Sequence, residues 1–268
     1  MSWIQRISFL DPREKQGIYR VLVPPVLFHR FGIDPLTFST AAGGRAVRMF
    51  CPAGDGACLI EVKHQQVEDP LYSLQLSDGA DHTQLSWDFV IANEPDSPRF
   101  SIDVDQEGRD TLFGWAARNV EEECRALSHG YFPGQIRKGL GLTGTVIRCL
   151  EFFCTMFDIK SIRLEALFYH NAISYEQHGF AYFSGYSMMK RINELFQPGC
   201  SLARLLDGRT PFRHPDFAGT VRGRSWAIHD GILTEVDDEV LEEGWVSPVM
   251  YRMIGSPRGM VTFPDPVF

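Results

Sequence analysis

Alternating apolar and polar positions mark the chain between about residues 45 and 105. The alternation predicts short strands separated by Gly, Asp, Asn and Pro, at 47–50, 58–62, 71–76, 85–90 and 99–104. Short strands bounded by turn-forming residues are typical of an antiparallel meander, and Asp78-Gly79 fits one of its turns. The segment from Cys51 to Cys58 is best interpreted as a plain hairpin, but it is also compatible with a metal site or a disulfide.

Apolar residues recur at helical spacing in other parts of the chain. The clearest helical pattern runs from Leu142 to Phe157. Residues 1–40 predict one helix or two short ones, because Pro24-Pro25 disfavours a continuous helix. The remaining predicted elements are helices at 110–128, 171–177 and 188–196 and strands at 161–167 and 180–183.

This order of elements predicts the fold class. Antiparallel strands come first, and helices then alternate with single strands, so we expect an α/β (α+β layered) protein with a mixed, largely antiparallel sheet flanked by helices. A doubly wound parallel sheet does not fit the order. We place the main domain, with its N-terminal helices and meander, at 1–187 and a C-terminal extension at 188–268.

Composition and charge exclude several classes of protein. The 268 residues include 26 basic and 34 acidic side chains, a net charge of −8. Nucleic acids and anionic membranes select clustered basic residues, so neither is an expected partner. The chain has no apolar run long enough to span a bilayer and no signal-peptide pattern at its start. Its six cysteines form no C-x-x-C pair, so we expect a reducing, cytoplasmic location.

A glycine-rich segment from Gln135 to Gly144 opens the helix predicted at 142–157. It contains the cations Arg137 and Lys138. The first N–H groups of a helix lack internal partners and carry partial positive charge, so such a start can bind a phosphate group. The segment also matches G-x-G-x-x-G, but a dinucleotide fold needs a strand directly before it, and residues 131–135 predict none. A glycine-rich helix entry without a ligand is the alternative.

A second motif lies further along the chain, where residues 175–180 read Tyr-Glu-Gln-His-Gly-Phe. Together with Gly139 and Gly141 upstream, it resembles the GNAT superfamily of N-acyltransferases over about residues 135–186. Members of that superfamily carry a glycine loop at a helix N-terminus, then a strand, then a helix that ends in Tyr-Glu-Lys-x-Gly-Phe. The resemblance implies an acyl-CoA N-acyltransferase-like fold.

The resemblance also implies a reaction and a set of site residues. Acetyl-CoA or another acyl-CoA would be the co-substrate, with no metal, and an amine on a small molecule or a protein would attack the thioester directly. A backbone N–H would hold the oxyanion, and the Tyr175 hydroxyl would protonate the departing thiolate. The implied coenzyme-binding residues are Ile136, Arg137, Lys138, Gly139, Leu140, Gly141, Leu142, Thr143 and Asn171.

Two departures from the family pattern bear on the site. Ile136 occupies the position where the family usually has Gln or Arg. The family's central strand normally leads straight into the glycine loop, whereas here the last predicted strand ends near Val104 and a helix intervenes. Either this helix is an insertion, or a short strand around residues 126–129 takes that place. Candidates for the catalytic base are Asp103, Asp105 and His129.

Other functions stay open from the sequence. One is a catalytically inactive GNAT-like module that binds coenzyme A or a protein. Another is a structural protein whose C-terminal region forms a homodimer through Trp226, Trp245, Met250, Tyr251 and Met253. His214 and Asp216 could ligate a metal, but no second pair lies at ligand spacing, so no metal is expected.

Overall fold

The computed structural model describes residues 2–63, 68–114, 116–256 and 259–268. Within these ranges the helices are α1 (Trp3–Ser8), α2 (Pro12–Tyr19), α3 (Pro25–Arg30), α4 (Val120–Ser128), α5 (Thr143–Met156), α6 (Tyr169–Gln177), α7 (Tyr186–Leu195), α8 (Ser201–Leu205) and α9 (Val221–His229). The strands are β1 (Val47–Phe50), β2 (Ala57–Lys63), β3 (Pro70–Asp78), β4 (Gln84–Ala92), β5 (Ser161–Glu165), β6 (Ala181–Tyr182) and β7 (Val249–Met253).

The strands form a mixed sheet in the order β1-β2-β3-β4-β5-β7-β6. Strands β1 to β4 pair antiparallel with their sequence neighbours, and β4 pairs parallel with β5. The predicted α/β class with a mixed sheet flanked by helices is therefore confirmed. No helix in the described ranges is long and apolar enough to cross a membrane.

Contacts in space group the described residues into two compact units. The first unit takes its residues from Met1–Ser97, Gly139–Leu164 and Tyr251–Pro257, and the second from Pro98–Lys138, Glu165–Met250 and Arg258–Phe268. This grouping follows spatial contacts, and the sequence boundary expected at residue 187 stays a prediction.

The first unit is built on the antiparallel strands and α5. Alternate residues of β2 are buried, as the alternating sequence predicts for a strand with one face on a core. Helix α5 buries Leu150 and Phe153, and the Phe153 ring stacks on Tyr19 with 6.2 Å between centroids. The buried Tyr72 hydroxyl donates to the carbonyl of Leu22, which ties the sheet to the N-terminal helices.

The second unit has its own aromatic core. Its central cluster contains Phe100, Tyr131, Phe212 and Trp226, all at most 5% exposed. Trp226 stacks on Phe212 with 5.2 Å between ring centroids, and its Nε1 donates to the carbonyl of Tyr131 at 2.8 Å. Burial of large aromatic rings stabilises a core strongly when a polar ring atom, such as the indole N–H, keeps a hydrogen-bond partner.

Several local predictions need correction. Residues 99–104 form no strand: Phe100 and Ile102 turn into the second unit's core, and Asn119 Nδ2 donates to the carbonyls of Ser101 and Val104. The helix predicted at 110–128 is a 3₁₀ turn at 112–114 followed by α4, and Trp115, inside that range, lies outside the described residues. Residues 1–40 contain three helices, α1 to α3, where one or two were predicted, because α1 ends at Ser8 and Asp11 caps a new helix. Strand β7 and helices α8 and α9 carried no prediction. The other predicted strands and helices are confirmed, with small shifts of their ends.

Candidate functional site

Strand β4 follows its two neighbours for different lengths. Its parallel pairs with β5 run from Gln84↔Ser161 to Trp87↔Leu164. Its antiparallel pairs with β3 continue as far as Ala92. The second half of β4 is therefore held on the β3 side, while its ladder with β5 ends at Trp87.

A β-bulge lies where the two ladders part. Leu76 pairs with Trp87, and Gln75 pairs with Phe89, so Asp88 is an extra residue in β4. A bulge bends its strand and increases the local twist, and bulges are frequent beside active sites. The ladder with β5 ends at the residue before this bulge, one residue short of the end of β5 at Glu165.

The glycine loop returns to the end of β4. Gly139 forms an isolated antiparallel bridge with Asn93, and the Leu140 N–H donates to the carbonyl of Ala92 at 2.9 Å. The chain between them leaves β4 and comes back to the same place. The strand predicted as one alternative at residues 126–129 is wrong, because those residues belong to the end of α4 and the turn after it, and the insertion stays a prediction.

Helix α5 begins immediately after this loop. Gly141 is exposed and has φ +68°, and a Cβ there would meet no atom within 4 Å. No side chain caps the helix start at Leu142, and its first turn contains no acidic residue. The first-turn N–H groups thus keep their hydrogen-bonding capacity and the positive end of the helix dipole. Arg148, one turn further, donates from Nη2 to Thr145 Oγ1 at 3.0 Å.

The predicted coenzyme-binding segment is divided between the two units. Gly139, Leu140, Gly141, Leu142 and Thr143 belong to the first unit, at the end of β4 and the start of α5. Ile136, Arg137 and Lys138 belong to the second unit. Ile136 packs against the aromatic core cluster, and its carbonyl accepts from the Phe100 N–H at 2.9 Å. Ile136 thus has a structural part in the second unit.

Asn171 and Tyr175 lie on α6 in the second unit. Asn171 Oδ1 accepts from the Phe168 N–H at 3.3 Å and so closes the first turn of α6. The Tyr175 ring packs on Phe180 with 5.5 Å between centroids. Burial raises the pKa of Tyr175 above its ordinary value of 10, so the hydroxyl is protonated at neutral pH. A protonated hydroxyl is what the acid role requires.

Glu176, the next residue of the same motif, is a buried anchor. Its carboxylate accepts from the Tyr182 hydroxyl at 2.7 Å and from the Thr262 N–H and hydroxyl. Burial raises the pKa of Glu176 more than these hydrogen bonds lower it. The motif therefore joins α6 to β6 and to the C-terminal segment.

The three base candidates all have other contacts. The Asp105 carboxylate accepts hydrogen bonds from the backbone N–H and from the side chain of Arg109. The backbone hydrogen bond is the main reason that the pKa of Asp105 lies below its ordinary value of 3.8, and the side chain of Arg109 lowers it further, although burial raises it. His129 Nδ1 lies 2.9 Å from the carbonyl of Arg125 at the end of α4. Asp103 Oδ2 accepts from Arg99 Nη2 at 2.6 Å. The Asp105 carboxylate and the Nδ1 atom of His129 are thus both engaged within local turns.

Sequence reasoning missed a group of polar residues in the second unit. The His170 Nδ1 and Ser225 Oγ atoms are 2.9 Å apart, and His229 Nε2 lies 3.1 Å from Glu123 Oε1. These pairs join residues 55 and 106 positions apart, so no local pattern marks them. They lie on α4, α6 and α9, whose helical patterns are visible but whose mutual contacts are not.

Two of the five residues expected to form a homodimer surface are not on the surface. Trp226 and Met250 are fully buried, so neither can contribute to an exposed face. Trp245 Nε1 donates to the carbonyl of Leu167 at 2.8 Å. Across the described parts of the chain, no group of three or more His, Cys, Asp or Glu side chains could hold a metal ion.

Comparisons with other proteins leave the site to be interpreted from its geometry. No protein-family model, curated protein or solved structure matches the chain.

Proposed function

We propose that this chain is an acyl-CoA N-acyltransferase, which moves an acetyl or other acyl group from coenzyme A to an amine. One observation carries the proposal: β4 continues to Ala92 beyond the end of its ladder with β5 at Trp87, and there it meets a glycine loop that opens α5. The GNAT resemblance implies a central strand, a glycine loop and a helix in this order. Here residues 94–138 separate the strand from the loop along the chain, but Gly139 bridges Asn93 at the end of β4.

The geometry suits the two parts of coenzyme A. The pantetheine arm carries amide groups, and an amide chain can pair with the edge of a strand that its neighbour leaves. The second half of β4 offers such an edge. The diphosphate would lie at the start of α5, where the N–H groups of the first turn and the exposed Gly141 permit close approach.

The transfer needs few groups from the protein. The amine nitrogen forms a bond to the thioester carbonyl carbon, and the C–S bond breaks as the tetrahedral intermediate collapses. The sulfur leaves as a thiolate and takes a proton, and the amine loses its proton to a base. The assignment of Tyr175 as the proton donor stays a prediction of the resemblance. A backbone N–H that holds the oxyanion would lower the barrier. A reducing compartment such as the cytoplasm belongs to this proposal, and all six cysteines are free.

A GNAT-like module that binds coenzyme A without turnover is the second candidate. The position of Ile136 favours it, because this residue packs in the aromatic core of the second unit where the family usually has a polar Gln or Arg. The two candidates share the coenzyme site and differ in turnover alone.

Calorimetric titration with coenzyme A and acetyl-CoA tests the shared site. We expect binding in the micromolar range for the wild-type chain. Gly141→Glu should weaken binding about a hundredfold, equivalent to about 2.7 kcal/mol. The expected loss has the size of a charge repulsion: two negative charges about 5 Å apart repel each other by about 3 kcal/mol at an effective dielectric constant of about 20.

The matched control is Gly141→Ala. Alanine at this φ carries the same backbone strain as glutamate, but its methyl group meets no atom within 4 Å and adds no charge. It should bind coenzyme A nearly as the wild type does. If neither ligand binds at millimolar concentration, the acyl-CoA site is wrong. Binding without acyl transfer to a panel of primary amines would select the inactive module.

A further inference from the structure

The second unit contains a cavity of about 190 Å³. Apolar side chains form most of its wall, including Leu167, Phe168, Ile228 and Trp245. An apolar cavity of about 150 Å³ is large enough to hold benzene. This cavity therefore has room for a benzene-sized body with a short substituent.

Gly114, Tyr169, Ser225 and His229 complete the wall. Ser225 and His229 lie one turn apart on α9. Ser225 is 1% exposed, and its hydroxyl is paired with His170. Burial, together with the nearby His229, lowers the pKa of His170 to about 3, so this imidazole is neutral at neutral pH.

The His229 ring is fixed by its neighbours. Its Nε2 lies 3.1 Å from Glu123 Oε1, and the rings of Phe168 and Trp226 stand edge-on to it. The chain passes close to the ring at Gly114, where φ is +88° and a Cβ would lie 2.5 Å from His229 Cε1. Only glycine fits this position, because any side chain would collide with the imidazole.

Glu123 determines which ring nitrogen carries the proton. Its side chain is 4% exposed and also accepts from Arg118 Nε at 2.9 Å. Burial alone would raise the pKa of Glu123, but the hydrogen bonds from His229 and Arg118 outweigh it and hold the pKa below 4.5. The carboxylate is therefore ionised and accepts a proton-bearing Nε2. In the neutral ring, Nδ1 then has a lone pair, and no described residue hydrogen-bonds to it.

We propose that this cavity binds a small molecule with an aromatic body and a single amine or hydroxyl group, which donates its hydrogen to His229 Nδ1. The aromatic wall takes the apolar body, and His229 supplies the polar contact. A neutral Nδ1 within hydrogen-bond reach of that group could also accept its proton as a general base. The proposal does not depend on coenzyme A binding.

Three isosteric probes test the proposal. Benzylamine, benzyl alcohol and ethylbenzene have the same number of non-hydrogen atoms, but ethylbenzene has no donor. Ligand-observed NMR titration of the wild-type chain should show one of the two donors binding about tenfold tighter than ethylbenzene. A hydrogen bond of about 1.4 kcal/mol supplies that factor. Which donor binds tighter distinguishes an ammonium ligand from a neutral one.

Variants separate the hydrogen bond from the cavity. His229→Phe keeps an aromatic ring and removes Nδ1, so the donor preference should vanish while ethylbenzene binding stays. Ile228→Phe fills the cavity and should weaken all three probes. His129→Phe changes an exposed histidine outside the cavity wall and serves as the control. Equal affinities of the three probes for the wild type, or no binding at tens of millimolar, would overturn the proposal even if His229→Phe does not fold.

Discussion

Acid should weaken the second unit through a single buried imidazole. His170 is 8% exposed, and its ring stacks on Phe132 and Phe168 with 4.6 and 5.5 Å between centroids. Burial is the main reason that its folded-state pKa is about 3 instead of 6.5. The unfolded chain therefore takes up a proton below about pH 6.5, while the folded chain stays neutral until about pH 3.

The sign and size of the effect follow from this difference in pKa. Protonation favours the unfolded state, so the contribution of His170 to stability is complete above pH 6.5 and falls as the pH drops toward 3. Each pH unit in this window costs about 1.36 kcal/mol. At pH 5.0 the loss is about 2 kcal/mol, a large part of the usual stability of a domain.

The assay is urea denaturation of the wild type and His170→Gln at pH 7.0 and pH 5.0. Glutamine keeps a polar partner for Ser225 but does not titrate. Its own cost in stability is the same at both pH values, so the wild type should lose about 2 kcal/mol more than the variant between them. His129→Gln, at an exposed position, should follow the wild type. Equal losses in wild type and His170→Gln would refute the assignment of a buried neutral imidazole.

Two further substitutions test the packing of the second unit. Trp226→Phe should lower the free energy of unfolding by about 2–4 kcal/mol in urea denaturation, because it leaves a void and an unpaired carbonyl at Tyr131. The half-buried Trp3→Phe should cost less than about 1 kcal/mol, and equal costs would contradict the core position. Glu176→Gln should cost about 1–3 kcal/mol at neutral pH, because an amide replaces one of the acceptor oxygens facing the donors of Thr262. A thermal unfolding midpoint unchanged from the wild type would show that these contacts are dispensable.

Local patterns predicted the elements that depend on local contacts. The alternation over 58–62 and 71–76 and the helical spacing from Leu142 to Phe157 correspond to β2, β3 and α5. In each, the burial of one face follows from the period of the side chains alone. The glycine loop was also visible, because glycines before an amphipathic helix have a direct meaning for the backbone.

The features that local patterns missed depend on distant contacts. Residues 99–104 alternate like a strand, but Phe100 packs with Trp226, far along the chain. Among the described residues no strand pairs with them, and Phe100 and Ile102 pack into the core of the second unit instead. The pairing of Glu123 with His229 was missed for the same reason, because these two residues lie 106 positions apart in the sequence. Sequence spacing holds no information about which helix faces will meet.

The interleaving of the two units has a consequence for synthesis. Their segments alternate along the chain, so the polypeptide passes from one unit to the other five times. The first 97 residues cannot complete their unit until Tyr251–Pro257 have left the ribosome. Long-range contacts of this kind slow folding and leave apolar surface exposed for longer. The nascent chain therefore carries an incomplete sheet through most of translation, and we expect it to depend on chaperones more than a chain whose units follow one another.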